Sequence, residues 1–379
     1  MNSFTQRRKL RLAAATGGAA VLAVASLAVA AAAPARRAFI SRFGTDSLIA
    51  STVPASGPGA GDVNPYGVAV VPATVGALRR GDVLVSNFNN QANQQGTGST
   101  IMEVSPGGTV HQYAQIAPSA PGGVVGLTTA LVVLRSGFVI VGNLPAAGGI
   151  AANAGAGGLT VLDSHGHVVK TITGGAINGP WDATAIDSGR SAVLFVTNVL
   201  NGTVAAAGGN VSRGTVVRIT FRIPRGGIPR VTSERVIATG FREHTDPNAL
   251  VVGPTGVHLG AHGVLYVADT ARNRIAAIPN ALNRMSAVGG GGRTVSSGHN
   301  LMSPLGLMIA PNGDVVTANG GDGNLVETTP AGRQLAAKTL VPDGAGDLFG
   351  LALAPSARGI YYVNDAGSGA DANSLELLH

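Results

Sequence analysis

The sequence predicts an all-β protein, a six-bladed β-propeller with four antiparallel strands in each blade, and three observations carry that prediction. A strand–turn–strand pattern recurs six times along the chain, as stacked supersecondary units require. The second strand of every copy is a short β-branched or aromatic run that stops at Asn or Asp, which is strand and turn chemistry. The last copy is one strand short, and a spare strand, Asp46-Ser47-Leu48-Ile49-Ala50-Ser51-Thr52, stands ahead of the first copy to complete it.

The chain opens on an address. A basic run, Gln6-Arg7-Arg8-Lys9-Leu10-Arg11, precedes an apolar stretch from Ala13 to Ala33, and Ala33-Pro34-Ala35 offers a small-residue cleavage site. Residues 1–35 are expected to be a signal peptide, using the general secretory route or, given Arg7-Arg8, the twin-arginine one. Residues 36–379 are then the mature propeller, exported to the periplasm or beyond. At about 21 residues the stretch is long enough to span a bilayer if it is kept, so membrane contact is expected only there.

The six copies follow in order. Copy one pairs Pro65-Tyr66-Gly67-Val68-Ala69-Val70 with a second strand ending at Asn87; copy two pairs Gly126-Leu127 with one ending at Asn143. Copy three pairs Pro180-Trp181-Asp182-Ala183 with a strand ending at Asn198, and copy four pairs Pro254-Thr255-Gly256-Val257 with one ending at Asp269. Copy five pairs Pro304-Leu305-Gly306-Leu307 with a strand ending at Asn319, and copy six pairs Phe349-Gly350-Leu351 with one ending at Asn364. Two more strands around a Gly-bearing turn complete a copy, as in Ile101–Val104, Ser105-Pro106-Gly107-Gly108 and Thr109–His111; Gly supplies the positive φ of a tight hairpin. Closing the ring with the N-terminal strand removes an exposed edge.

Composition removes several function classes. With no Cys, disulfides, thiolate catalysis and Cys-based metal sites are excluded. The formal charge of +7 is inflated by the leader, which holds four of the 26 basic residues and no acid, leaving about +3. So weak and scattered a charge argues against a nucleic-acid surface. Nucleophile-elbow, phosphate-loop and zinc-protease motifs do not occur.

Copy four, Gly263-Val264-Leu265-Tyr266-Val267-Ala268-Asp269-Thr270-Ala271-Arg272-Asn273-Arg274-Ile275, resembles an NHL repeat in its Val-Ala-Asp, its Asn-Arg pair and the apolar residue that follows. The other copies keep the strands and the terminal Asn or Asp but not the Asn-Arg pair. The resemblance implies a six-bladed propeller of the NHL type, a superfamily of both binding proteins and enzymes. The related gluconolactonase-like propellers carry a metal-ligating Glu at the start of blade one. Residues 36–81 contain no Glu here, and the corresponding place is Asp62-Val63-Asn64-Pro65-Tyr66-Gly67. NHL-type lyases use His-rich metal sites, for which His244 alone is well placed.

Antiparallel pairing puts the starts of first strands and the ends of second strands on one face. Asn87, Asn143, Asn198, Asp269, Asn319 and Asn364 therefore ring a channel mouth. Their oxygens suit Ca²⁺ or another divalent metal, with Asp182, Asp269 and Asn319 as ligand candidates, or a polar ligand. They equally suit turns, where Asn and Asp bond their own backbone. The long loops Asn89–Ser99, Leu144–Gly157 and Asn201–Arg213 lie on the same face. Asp182 stands where the other copies have Gly, beside the single Trp181: a ligand-binding pair, or a turn acid and a core indole. The insert Arg242-Glu243-His244-Thr245-Asp246-Pro247-Asn248 forms a loop in which His244 is a candidate base and Asp246 its orienting partner. The expectation is a monomeric, non-catalytic exported propeller that binds a polymer, carbohydrate, peptide or protein on this face. The alternative is a metal-dependent hydrolase or lyase with its site at the channel mouth.

Overall fold

A computed structural model describes residues 37–116, 123–366 and 372–379. The expected signal segment, residues 1–35, lies outside the described residues. Residues 37–379 form one compact unit. Strand β1 (Asp46–Ser51) precedes blade 1, which consists of β2 (Val63–Val70), β3 (Val83–Asn89), β4 (Thr100–Val104) and β5 (Val110–Gln115). Blade 2 is β6 (Leu127–Val133), β7 (Val139–Asn143), β8 (Gly158–Leu162) and β9 (Val168–Thr173). Blade 3 is β10 (Pro180–Asp187), β11 (Ser191–Asn198), β12 (Val211–Arg222) and β13 (Arg230–Asp246), with a short β14 (Leu250–Val252) folded back on its end. Blade 4 is β15 (Pro254–Leu259), β16 (Leu265–Asp269), β17 (Arg274–Ile278) and β18 (Arg293–Ser297). Blade 5 is β19 (Pro304–Ile309), β20 (Val315–Asn319), β21 (Asn324–Thr328) and β22 (Gln334–Thr339). Blade 6 is β23 (Leu348–Leu353), β24 (Ile360–Asn364) and β25 (Ser374–Leu378), closed by β1. Among the described residues no helix is long and apolar enough to cross a membrane.

The closure follows the sequence expectation. β1 pairs antiparallel with β25, from Asp46 opposite Leu378 to Ser51 opposite Ser374. Ahead of β1, the backbone N–H groups of Phe39 and Ile40 each donate to the buried Glu327 carboxylate of blade 5 at 2.8 Å. Phe39 and Ile40 pack with Met308, Val316, Tyr362 and Leu378, so the incoming chain seals the groove between blades 5 and 6.

Each first strand is irregular near its start, where it meets the second strand's end. The register slips at Pro65/Gly67, Pro180/Ala183, Pro254/Val257, Pro304/Leu307 and Leu348/Leu351. Pro suits a strand's first residue because it has no N–H to give the ladder. The Gly that follows lets blades touch through bare backbone. A Cβ on Gly256 would sit 2.2 Å from the Leu305 carbonyl oxygen, and one on Gly306 2.2 Å from that of Phe349. On Gly350 it would sit 2.4 Å from the Tyr66 carbonyl oxygen.

Two expectations are corrected. Gly126 is not blade 2's member of this ring: Leu127 pairs with Asn143 and a longer slip runs to Leu131, so Thr128-Thr129-Ala130 fill the place. Asp182 thus replaces Gly relative to blades 1, 4, 5 and 6 only. The insert from Arg242 is not a loop, since Arg242 and Glu243 pair with Ser212 and Val211 and extend β13. His244, Thr245 and Asp246 then pair with β14. The alternation of inward Phe241 and Glu243 with outward Arg242 is what carries the strand on.

Candidate functional site

A cavity of about 530 Å³ opens on the face where first strands begin and second strands end. Its floor is aromatic. Tyr66 stacks on Phe88 with centroids 4.7 Å apart, meets Phe349 at 4.4 Å, and stands edge-on to Trp181 at 5.8 Å. All four side chains are buried. Burial and the charges of Asp246 and Asp365 push the Tyr66 phenol up, so it stays protonated.

The walls are acidic. Asp246, Asp347, Asp365 and His244 line the cavity, and among the described residues no Lys or Arg does. Burial, and then the neighbouring charge of Asp347, push the Asp365 carboxyl up to about 7. Burial raises Asp347 as well. The two segments are tied by the Asp365 N–H, which donates to the Asp347 carbonyl at 2.9 Å.

The β13–β14 hairpin delivers His244, Asp246 and Asn248. Asp246 accepts from the Asn248 N–H at 2.7 Å, which holds the turn. Its other oxygen is 4.0 Å from His244 Nε2, beyond hydrogen-bonding range. His244 Nδ1 and Asn64 Oδ1 are both buried without a hydrogen-bond partner, and both residues line the cavity. Asn64 reaches its place through a left-handed backbone, φ 58°, which Asn tolerates.

Trp181, His244 and Asp246 are thus brought together, whereas Asp182 is not. Its side chain lies deeper, in the central channel lined by the first strands. There it accepts from the Ala183 N–H at 2.7 Å and, across the blade boundary, from the Val257 N–H at 3.1 Å. Burial pushes it up to about 7. His258 shares that channel, and burial pulls its imidazole down.

Five of the six ring residues end second strands and Asn87 lies two residues before the end of β3, but their side chains turn into the blades and none lines the cavity. Asn87 donates to the Thr52 carbonyl and Thr100 Oγ1. Asn143 accepts from the Gly126 N–H and donates to the Val124 carbonyl, and Asn198 accepts from the Asn178 N–H. Asn319 donates to the Asn300 carbonyl and Asp322, and Asn364 to Glu376. Asp269 is buried between Arg274, at 2.6 Å, and Arg272, at 3.2 Å. The acid and the arginine of the NHL-like signature therefore form an internal ion pair. The metal candidates Asp182, Asp269 and Asn319 occupy three separate settings. Among the described residues no three His, Asp or Glu converge to hold a metal ion.

The cavity is lined by the neighbours of the predicted ring. Strand alternation turns each ring residue into its blade and the next residue toward the lumen. That next position holds Phe88, Leu144 and Val199 in blades 1 to 3, but Thr270, Gly320 and Asp365 in blades 4 to 6. The position before Leu127, Pro180 and Pro254 holds Gly126, Gly179 and Gly253 in blades 2 to 4, but the equivalent position before Pro65, Pro304 and Leu348 holds Asn64, Ser303 and Asp347 in blades 1, 5 and 6. Sequence reasoning missed Asn64 and Asp347, and this one-sided polarity across the aligned repeats is the signal that could have found them.

No protein-family model matches the sequence, and neither does any curated protein. Solved structures share the fold. A gluconolactonase from Xanthomonas campestris is 14% identical over 88% of this chain and 88% of its own, with a TM-score of 0.52. A calcium-binding regucalcin from Agrobacterium tumefaciens is 13% identical over 89% of this chain and 93% of its own, at 0.54. A PQQ-bound aldose sugar dehydrogenase from Streptomyces coelicolor is 15% identical over 88% and 97%, also at 0.54. At these identities the likeness is one of fold, and the chain is a six-bladed β-propeller of the architecture those proteins share.

Proposed function

We propose that the channel-mouth cavity is an active site of hydrolase or lyase type for a small neutral or cationic substrate, rather than the docking face of a non-catalytic binding protein. The observation that carries this reading is the Asp347–Asp365 pair. A carboxyl pushed up to about 7 exchanges its proton near neutral pH, which is what a general acid or base needs. Three acids, with no Lys or Arg beside them among the described residues, repel anionic substrates and favour neutral or positive ones. The aromatic floor gives such a substrate a dry surface on which to lie. His244, whose Nδ1 has no partner, is the second proton carrier. The names of the gluconolactonase and the calcium-binding regucalcin that share the fold favour the same reading.

The donor chemistry also fits a hard cation. Asp347, Asp365 and the orphan Asn64 Oδ1 are oxygen donors, as Ca²⁺ prefers, and they do not make the His-rich set that zinc takes. When bound, such an ion supplies a Lewis acid that polarises a substrate oxygen. Asp365 must lose its proton to bind it.

Calorimetric titration with Ca²⁺ tests this reading. Affinity should rise about tenfold per pH unit up to about pH 7 and level off above it, because proton and ion compete for Asp365. Asp365→Asn should weaken binding at least about tenfold and flatten the pH dependence. Hydrolysis of a lactone panel, followed by acid release, reads the chemistry itself; the same variant should lower kcat by about 10²–10⁴-fold. Ca²⁺ affinity equal in wild type and variant, with no turnover in either, would remove the site.

A further inference from the structure

The opposite face of blade 3 carries a surface of different chemistry. β12 and β13 run on into a hairpin that turns through Pro224, Gly226 and Gly227. Their register places Arg222 opposite Arg230 and Arg218 opposite Arg235. Like charges directly opposite each other destabilise a strand pair. Arg218 and Arg235 are answered within the fold, since they donate to the carbonyls of Ala281, Leu282 and Met285. Arg222 and Arg230 are exposed, as is Arg225 at the tip. Among the described residues, no ion pair within 4.0 Å involves these three, Lys170 or Arg190.

These cations gather around one apolar side chain. Two adjoining shallow grooves, of about 570 and 430 Å³, share Val169, Gly226, Gly227 and Ile228. The first adds Arg190 and Arg225, and the second adds Lys170 and Arg230. Ile228 is 45% exposed, and its glycine neighbours do nothing to cover it. The nearby acids are already engaged. Asp163, which lines the first groove, accepts from the N–H groups of His165 and His167 and bonds the His167 ring. Asp187 accepts from Arg135 and Gly189, and Glu234 from Ala176.

We infer that this face docks on an anionic lipid surface, with the arginines on headgroup phosphates and Ile228 in the acyl boundary, while Lys170 donates to the Pro229 carbonyl at 3.1 Å and braces the turn. Charge complementarity selects the anion. The exposed isoleucine at the centre of the cations selects a lipid interface over a soluble polyanion, which offers it nothing apolar. The acidic cavity, on the other face, then points away from the bilayer.

The test is co-sedimentation of the chain from Arg37 onward, which contains the whole closed ring. The vesicles are phosphatidylcholine, with and without phosphatidylglycerol. Binding is expected only with phosphatidylglycerol and should weaken with added salt. The double variant Arg225→Glu/Arg230→Glu should lower partitioning by about 25-fold or more, taking about fivefold per cation removed. Ile228→Ser should lower it several-fold with all charges kept. These side chains are exposed, so unchanged melting curves certify the fold of each variant, and Asp365→Asn should bind vesicles like wild type. No binding to phosphatidylglycerol vesicles would overturn the inference. So would an Ile228→Ser variant that binds as wild type while soluble polyphosphate binds to the arginines, which would make the partner a soluble polyanion.

Discussion

At Asp182 the chain puts a carboxylate where blades 1, 4, 5 and 6 have glycine. Those blades meet through backbone, and blade 3 instead reaches across with a side chain to the Val257 N–H. The channel around Asp182 is lined mostly by aliphatic residues of the first strands, and among the described residues His258 is its other titratable group and no Lys or Arg lines it. Burial therefore outweighs the two backbone N–H bonds that favour the charged form and lifts the carboxyl from an ordinary 3.8 to about 7. The folded state binds this proton more tightly than the unfolded state does, so ionising Asp182 works against folding. Its contribution favours the folded protein below about pH 4 and is lost progressively as the pH climbs to about 7. Asp182→Asn keeps an acceptor for a backbone N–H and cannot ionise. The melting temperature of the variant should fall less than that of wild type between about pH 5 and pH 8. Equal falls would show that another carboxyl, such as Glu243 or Asp365, carries the dependence, since burial lifts each of those to about 7 as well.

The first strand is where the repeat was legible, and its glycine shows why. Pro-x-Gly marks a Pro at the strand start and a glycine where the next blade's carbonyl leaves no room for a Cβ. Gly306→Ala should cost about 1–3 kcal/mol, because the methyl would meet the Phe349 carbonyl oxygen at 2.2 Å. Gly289→Ala, with nothing within 4 Å of its Cβ, should stay within about 0.5 kcal/mol in the same denaturant titration. The Asn and Asp endings were legible as ends, because turns demand those residues. Their side-chain direction was not, since a shift of one position along a strand exchanges inward for outward. That single step separates Asn364, bonded inside blade 6, from Asp365 in the cavity. The β13–β14 hairpin was hidden for a different reason. Its polar string Arg242–Asp246 has loop composition, and only its pairing partners in β12 and β14 make it strand. Candidates His244 and Asp246 were therefore found by residue type, while the element that presents them was misread.

A ring of stacked blades has two ends, and the stability of the whole molecule depends on how they are joined. The pairing of β1 with β25 could be foreseen, because an unpaired strand needed a partner and an unfinished blade offered one. The strap ahead of it could not. Glu327 meets Phe39 and Ile40 from 288 and 287 residues away, and no local pattern announces so distant a contact. Its physics is nonetheless demanding. One buried carboxylate accepts from two backbone N–H groups and from the Asn312 amide, and each of the two backbone N–H groups left unpaired by Glu327→Ala would cost about 1–3 kcal/mol. The penalty falls on the segment that delivers β1, so it should act first as local opening of the ring. In Glu327→Ala, hydrogen exchange should accelerate together across Asp46–Ser51 and Ser374–Leu378, while blade 3, on the far side of the ring, keeps its protection until global unfolding. Wild-type protection of β1 in that variant would mean that the β1–β25 ladder closes the ring unaided. Uniform acceleration in all blades would mean that closure and global stability are one event, with the strap as the clasp for both.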